Sequence, residues 1–148
     1  MTATVSFQGI GASPGVAVGR AFVLEGQRVR TPKVRLTAPE VESEVLRFKT
    51  AIELSDRQFQ ELATKLGGDS QEHSLILEAH RMMLHDPMFL VEVSRLIQED
   101  LINAEWAVRR VGKRLRHQFD NLHDEYFRER KSDIEFVADR LVRNLMGE

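Results

Sequence analysis

A regular apolar spacing between Val41 and Leu66 constrains the fold of this chain more than any other feature. Side chains on one helical face recur there at intervals of four and three residues, with a single polar break at Ser55. The positions are Val41, Val45, Phe48, Ile52, Ser55, Phe59, Leu62 and Leu66. Such spacing aligns residues on a helix and scatters them on a strand. A capping box at Thr37–Glu40 precedes the run and Gly67–Gly68 ends it, which together predict one long helix.

Two further helices are predicted after these glycines, with a kink or break between them. A second capping box, Asp69–Glu72, begins a helix that should run to about Leu84. Asp86 then precedes Pro87, the pair that suits an N-cap and a first helical position. We therefore expect the chain to bend at His85–Asp86 and to continue as a helix through Gln98.

The last part of the chain predicts a second helical hairpin. Asn103 stands where it can cap a helix, whose apolar seam follows at intervals of three and four residues: Ala104, Val108, Val111, Leu115, Phe119, Leu122 and Tyr126. A final helix is expected to begin near Ser132 and to end at Gly147, with Ile134, Val137, Leu141 and Leu145 facing inward. Short connections favour antiparallel packing, so the pattern predicts a mainly α fold: a four-helix, two-hairpin bundle with a kinked second helix.

The N-terminal residues have a different pattern, which predicts β-structure. Thr4–Phe7 and Val16–Leu24 cluster apolar and β-branched residues, and glycines and Pro14 lie between them. A strand pair this small is not stable alone. We therefore expect residues 1–32 to be a β-segment of an incomplete subdomain, and residues 33–148 to form the helical bundle.

Composition excludes several functional classes. The 148 residues are 42% hydrophobic and 30% charged, and the net charge of −2 gives no general attraction to nucleic acid or to anionic membranes. Because the sequence has no Cys, disulfides, thiolate metal sites and cysteine nucleophiles are excluded. The apolar runs are too short to span a bilayer, and Met1–Phe7 lacks the pattern of a secretory signal. We therefore expect a cytoplasmic protein without membrane contact.

The five histidines do not predict a catalytic or metal site. They are His73, His80, His85, His117 and His123, and all lie on predicted helices or helix ends. No H-E-x-x-H or similar metal-ligand spacing accompanies them. A phosphoryl-accepting histidine needs an exposed ring with oriented donors around it. We expect none of the five to be catalytic, and no metal to be bound.

An apolar, methionine-rich group of residues near the predicted helix break admits two interpretations: Met82, Met83, Leu84, Met88 and Phe89. Methionine and phenylalanine at helical spacing commonly belong to a core. Methionine is also flexible and polarizable, which suits a surface that accepts a partner. Because Met82 and Met83 are adjacent, they do not both point inward along one narrow stripe. Charged residues could border such a surface: Glu72, His80, Asp86 and Arg130.

The helix that carries Val108 and Val111 also carries a basic cluster: Arg109, Arg110, Lys113, Arg114 and Arg116. Nucleic-acid binding would need stacking or groove-reading groups beside such a patch. The nearby aromatics, Trp106 and Phe119, lie at or near the apolar seam, so a solvated helix face is the preferred interpretation.

Three segments together resemble a known family. They are Gly9–Gly19 with its Ser-Pro-Gly turn, Glu78–Pro87, and Asp124–Arg130. In that order they resemble the N-terminal region of phosphoenolpyruvate–protein phosphotransferase, enzyme I of the bacterial sugar phosphotransferase system. The resemblance implies that residues 1–32 begin a phosphohistidine α/β subdomain and that the chain stops before the histidine that the family phosphorylates. It also implies that this chain alone is inactive, although the parent protein is an enzyme.

The resemblance further implies a partner and its site. In enzyme I the kinked second helix and the end of the long third helix dock HPr, the small phosphocarrier protein. By motif position, the partner-binding residues would be Glu72, His80, Met82, Met83, Asp86, Phe89, Phe119, Leu122 and Arg130. Gln71, Pro87 and Met88 stand where many relatives carry acidic residues, which leaves room for the nitrogen-branch counterpart of HPr. The phosphoenolpyruvate site and its Mg²⁺ would lie in a C-terminal domain that this chain lacks.

Two alternatives remain open. A stand-alone helical interaction module would share the methionine-rich surface and bind another partner, without a role in phosphotransfer. The N-terminal piece of a multidomain phosphotransfer fusion would share both the Ser-Pro-Gly turn and the docking surface. The sequence distinguishes neither the sugar branch from the nitrogen branch nor the oligomeric state.

Overall fold

The computed structural model describes residues 6, 8, 14–16, 18–20, 30–66, 71–120 and 125–148, without the side chains at 66, 71–73, 119–120 and 125–131. Most of the expected β-segment lies outside the described residues. Of the second capping box, Asp69–Glu72, only the backbone of residues 71 and 72 is described. The boundary near residue 32 therefore stays a prediction. In the part that is described, no helix is long and apolar enough to cross a membrane.

The described chain is mainly helical, as predicted. A 3₁₀ turn at Ala38–Glu40 leads into the first of five α-helices: α1 Val41–Leu66, α2 Gln71–Leu84, α3 Pro87–Glu99, α4 Ala104–Asp120 and α5 Glu125–Met146. The predicted kinked second helix is two separate helices, α2 and α3. At the first helix, the main chain N–H of Thr37 donates to Glu40 Oε2 at 2.7 Å, the reciprocal bond expected of the capping box.

One predicted boundary is wrong. The final helix begins at Glu125 and not near Ser132. Ser132 has the character of an N-cap, but five of the seven residues before it are good helix formers: Glu125, Arg128, Glu129, Arg130 and Lys131. Residues with this propensity extend a helix unless a glycine or proline stops it, and none is present there.

The described parts of the predicted seams pack in one core. Phe48, Ile52 and Phe59 of α1 are buried there with side chains of the other four helices: Leu77, Leu84, Val93, Leu96, Ile97, Val108, Val111, Val137 and Leu141. Each such side chain stabilises the fold by about 1.5–3 kcal/mol through apolar burial. Ser55, the polar break in the seam, is fully buried. Its hydroxyl donates to Ala51 O at 2.7 Å and accepts from Asn144 Nδ2 at 2.7 Å, so the polar position is satisfied by α5.

The break between α2 and α3 has the predicted chemistry. Asp86 Oδ1 accepts a hydrogen bond from Phe89 N at 2.9 Å, and Pro87 occupies the first turn of α3. Proline has no N–H to lose at this position, and the Asp86 carboxylate satisfies one of the free amides that begin α3. The break is thus encoded locally, and it separates the end of α2 from the start of α3.

The N-terminus of α4 is capped differently from the prediction. Asn103 precedes α4, but its Oδ1 accepts from Val34 N at 3.0 Å. The free amide of Ala104 instead donates to Glu44 Oε1 of α1 at 2.6 Å. The cap comes from another helix because folding brings the Glu44 carboxylate to the end of α4, which neighbouring sequence cannot reveal.

Candidate functional site

An exposed apolar surface runs along α2 and onto the start of α3. Leu75 and Met82 are seven residues apart and lie on the same face of α2, Ile76 is exposed beside Leu75, and Met88 follows in the first turn of α3. Leu75, Met82 and Met88 expose 67%, 71% and 81% of their surface. Grouped exposed apolar side chains commonly mark a contact surface, whereas single ones are ordinary. We call these four residues the α2–α3 surface.

The residues next to this surface point into the core. Leu84 is fully buried, Phe89 is 6% exposed, and Met83 is half-buried against the core cluster. The two interpretations of the methionine-rich group therefore apply to different members. Met82 and Met88 are exposed, whereas Leu84 and Phe89 lie in the core and Met83 packs against it. The adjacent pair Met82–Met83 divides between surface and interior, as helical geometry requires.

His80 lies inside the bundle. It is 6% exposed, and its Nε2 is 3.1 Å from Asp133 Oδ1 of α5. Its ring contacts Phe59 of α1 and Phe136 of α5, with centroid distances of 5.8 Å and 5.0 Å. A carboxylate accepts only, so we assign the proton to Nε2. Nδ1 is buried and has no hydrogen-bond partner among the residues that the structure describes. The His80 side chain therefore holds α2 against α1 and α5 and does not border the exposed surface.

A charged cluster that sequence reasoning missed lies at the end of α2. Arg81 Nε donates to Asp56 Oδ1 of α1 at 2.9 Å, and His85 Nε2 is 3.0 Å from the same oxygen. The hydrogen bond from Arg81 is the main reason that the pKa of Asp56 lies below its usual value; burial opposes this, and His85 adds to it. No sequence signal could have joined Asp56 to residues 25 and 29 positions away. By contrast, Leu75 could have been found, because it lies seven residues, about two helical turns, before Met82.

The remaining predicted partner-binding residues divide into two groups. Asp86 is exposed and caps α3. The side chains of Glu72, Phe119, Leu122 and Arg130 lie outside the described residues. The assignment of the whole set to a partner stays a prediction.

The basic cluster on α4 is largely neutralised by carboxylates. Arg110 pairs with Asp100 at 2.6 Å, and three other arginines pair with acids of α3 and α5: Arg109 with Asp139, Arg114 with Glu92 and Arg116 with Glu135. Hydrogen bonds from Arg95 and Arg114 lower the pKa of Glu92 to about 2, so it stays ionised. A face with its charges paired attracts polyanions weakly, which favours the solvated-face interpretation. Among the described residues, there is no group of three or more histidine or acidic side chains that could hold a metal ion such as Mg²⁺.

Comparison with known proteins gives the family. Residues 8–130 match the family model described as "PEP-utilising enzyme, N-terminal". The chain belongs to this family. Its similar curated relatives include the phosphoenolpyruvate-protein phosphotransferases of Priestia megaterium, at 36% identity over 97% of the chain, and of Bacillus subtilis, at 33% over 95%. The chain spans about a quarter of the length of these relatives, 25% and 24%.

Solved structures agree with this PEP-utilising enzyme family. An NMR solution structure of enzyme I (nEIt) is similar with a TM-score of 0.80 and 32% identity, over 91% of this chain and 55% of that one. The N-terminal domain of "Enzyme 1 - Nitrogen" is similar in fold, with a TM-score of 0.69 at 24% identity, over 77% of this chain and 48% of that one. The resemblance expected from the three sequence segments is therefore confirmed, and the helical architecture is that of the enzyme I N-terminal domain.

Proposed function

We propose that the α2–α3 surface docks a small phosphocarrier protein, HPr or its nitrogen-branch counterpart. The observation that carries this proposal is the exposure of Leu75, Ile76, Met82 and Met88 together on adjoining helices. The relatives are named protein phosphotransferases, and transfer to a protein requires a surface that holds it. Met82 and Met88 offer adaptable side chains for such a transient contact.

The likeness to enzyme I supports a positioning role. Holding donor and acceptor in a near-attack geometry replaces part of the entropy cost of a bimolecular reaction. In this proposal the helical bundle supplies that positioning and no chemical group of its own. His80 is buried against Asp133, which makes it unsuited to accept a phosphoryl group from a partner. Phosphoenolpyruvate binding and the Mg²⁺ chemistry implied for the whole enzyme are assigned to no residue of this chain.

The surface also bears on partner choice. Pro87 and Met88 add no negative charge at the start of α3, where the exposed carboxylate is Asp86. Charge complementarity mainly sets the association rate and partner selection. A carrier with a less basic face, such as the nitrogen-branch protein, would therefore suit this surface better than a strongly basic one.

The test is an NMR titration of the labelled chain with each carrier, using the methionine methyl signals. We expect shifts at Met82 and Met88 and weak, micromolar-range binding. Met82→Asp should reduce affinity at least about tenfold, because a contact made by an apolar side chain would then bury a charge. Leu46→Asp is the matched control, since Leu46 is 64% exposed on α1. It should leave affinity unchanged.

The outcomes separate the alternatives. Loss of binding in Met82→Asp with an unchanged circular-dichroism spectrum supports docking at this surface. A folded chain that binds neither carrier would favour the stand-alone interaction module. An equal loss of affinity in Met82→Asp and Leu46→Asp would contradict docking at the α2–α3 surface. It would not affect the assignment of the chain to its family. Met83 is a poor test residue because its half-buried side chain also supports the core.

A further inference from the structure

A buried ionic network joins four separate parts of the fold around Arg47. Its guanidinium donates to Glu44 at 2.6 and 3.0 Å and to both oxygens of Glu105, at 2.7 and 2.8 Å. Glu44 and Glu105 are 9% and 4% exposed. Carboxylates removed from water in this way are tolerated only when they are fully paired and hydrogen-bonded. Arg47 supplies that pairing for both.

The same guanidinium also holds the end of α5. Its NH1 donates to Leu145 O at 2.7 Å. The last turn of a helix leaves carbonyl groups without partners inside the helix. Gly147, at φ 78°, then turns the chain, and Glu148 N donates back to Arg143 O at 3.0 Å. The Leu145 carbonyl is left for Arg47, so an α1 side chain completes the carboxyl end of α5.

On its other side the network holds residues 31–36. Glu105 Oε2 accepts from Asn103 Nδ2 at 2.7 Å. Asn103 in turn donates to Pro32 O at 3.1 Å and accepts from Val34 N at 3.0 Å. Val34 is half exposed and packs little apolar surface there. Around Val34, hydrogen bonds hold the segment to the bundle, whereas Leu36 at its end packs partly against the core.

Contacts along α4 extend the same attachment. Leu36 N donates to Leu101 O at 2.8 Å, and Arg109 Nε donates to Thr31 Oγ1 at 3.0 Å. The cations of Lys33 and Arg35 lie 5.9 and 5.5 Å from the ring centroid of Trp106, within the range of cation–π attraction. The segment thus lies along the start of α4 with its path set at several points.

We propose that Arg47 is a positioning residue that fixes two places at once: the segment 31–36, which connects the bundle to the N-terminal residues, and the carboxyl end of α5. Through Glu105 and Asn103 it acts on the segment, and through Leu145 O it acts directly on α5. The path of the chain along the segment and at the end of α5 is then set by the same side chain. This inference is independent of which partner binds the α2–α3 surface.

Hydrogen exchange and ¹⁵N relaxation of the full chain test it. In Arg47→Met we expect the amides of Val34 and Leu36 to exchange about tenfold faster or more, and residues 144–147 to become more mobile on the nanosecond timescale. In Asn103→Ala only the segment should loosen, because Arg47 still holds Leu145 O. Arg95→Met is the matched control: Arg95 also pairs with two glutamates, Glu92 and Glu99, but on the surface of α3. It should change neither region.

A merely stabilising role gives a different result. In that case Arg47→Met would lower the melting temperature, but the amides of Val34 and Leu36 would exchange only through global unfolding. Residues 144–147 would also stay rigid. These results would overturn the proposal. Equal effects of Arg47→Met and Asn103→Ala on the α5 end would overturn it too. If Arg47→Met does not fold, Arg47→Lys keeps the charge without the planar fork, and it should show the same two local changes in weaker form. Carrier binding at the α2–α3 surface should survive in each folded variant.

Discussion

Replacing Glu44 with alanine should destabilise the bundle, because its carboxylate joins α1 to the start of α4. Glu44 caps α4 through Ala104 N and pairs with Arg47. Loss of a cap costs about 0.5–2 kcal/mol. Breaking a buried ion pair costs about 3–5 kcal/mol, but Arg47 is 38% exposed and keeps Glu105, so only part of that cost applies. We therefore expect the free energy of unfolding to fall by about 2–4 kcal/mol.

The assay is urea denaturation near neutral pH, followed by circular dichroism. The slope of the unfolding free energy against urea concentration should be the same for each variant. Glu53→Ala is the control, because Glu53 is an exposed glutamate on the same helix. Glu44→Gln separates the two contributions: its amide oxygen can still accept from Ala104 N, but its charge is gone. We expect it to cost about half as much as Glu44→Ala. If Glu44→Ala costs no more than Glu53→Ala, the inter-helix cap does not stabilise the fold.

The pH dependence gives a second check on Glu44. Burial raises its pKa, but the hydrogen bonds from Arg47 and Ala104 N outweigh burial, so the folded pKa lies below its usual value. A lowered folded pKa means that the unfolded chain binds the proton more readily. The stabilisation is therefore complete above the unfolded value and is lost as pH falls through the folded one. The difference between the native chain and Glu44→Gln should shrink in acid; a constant difference would contradict the ionic account.

Three other results are expected. Asp86→Ala removes the cap of α3 and should lower the free energy of unfolding by about 1 kcal/mol, measured by urea denaturation. Leu84→Ala empties a fully buried position and should cost about 2–5 kcal/mol, whereas Met82→Ala on the exposed side of the same helix should stay within about 0.5 kcal/mol. Asp56→Asn should reduce stability at neutral pH and lose that effect in acid, because the lowered pKa of Asp56 depends on a hydrogen bond from Arg81 to its ionised form.

The α2–α3 surface was only partly predictable. Adjacent methionines beside a helix break indicate that some apolar side chains must face outward, and the Asp86–Pro87 pair locates that break. The sequence does not say which methionine faces the core. Met82 is exposed and Met83 half-buried because α2 packs its other side on α1 and α5, and that contact exists only in the folded chain.

The sequence by itself determined that the helices exist and where most of them begin and end, the start of α5 excepted, because their signals are local: apolar spacing, caps, and glycines or proline at the ends. The enzyme I family likewise followed from short motifs in their order. Only the tertiary structure decided the polar interior. Glu44 caps α4 from 60 residues away, and Arg47 reaches Leu145 O across 98. Charged residues at helical spacing look alike in sequence whether solvated or buried. Their roles depend on which helix ends the packing brings beside them.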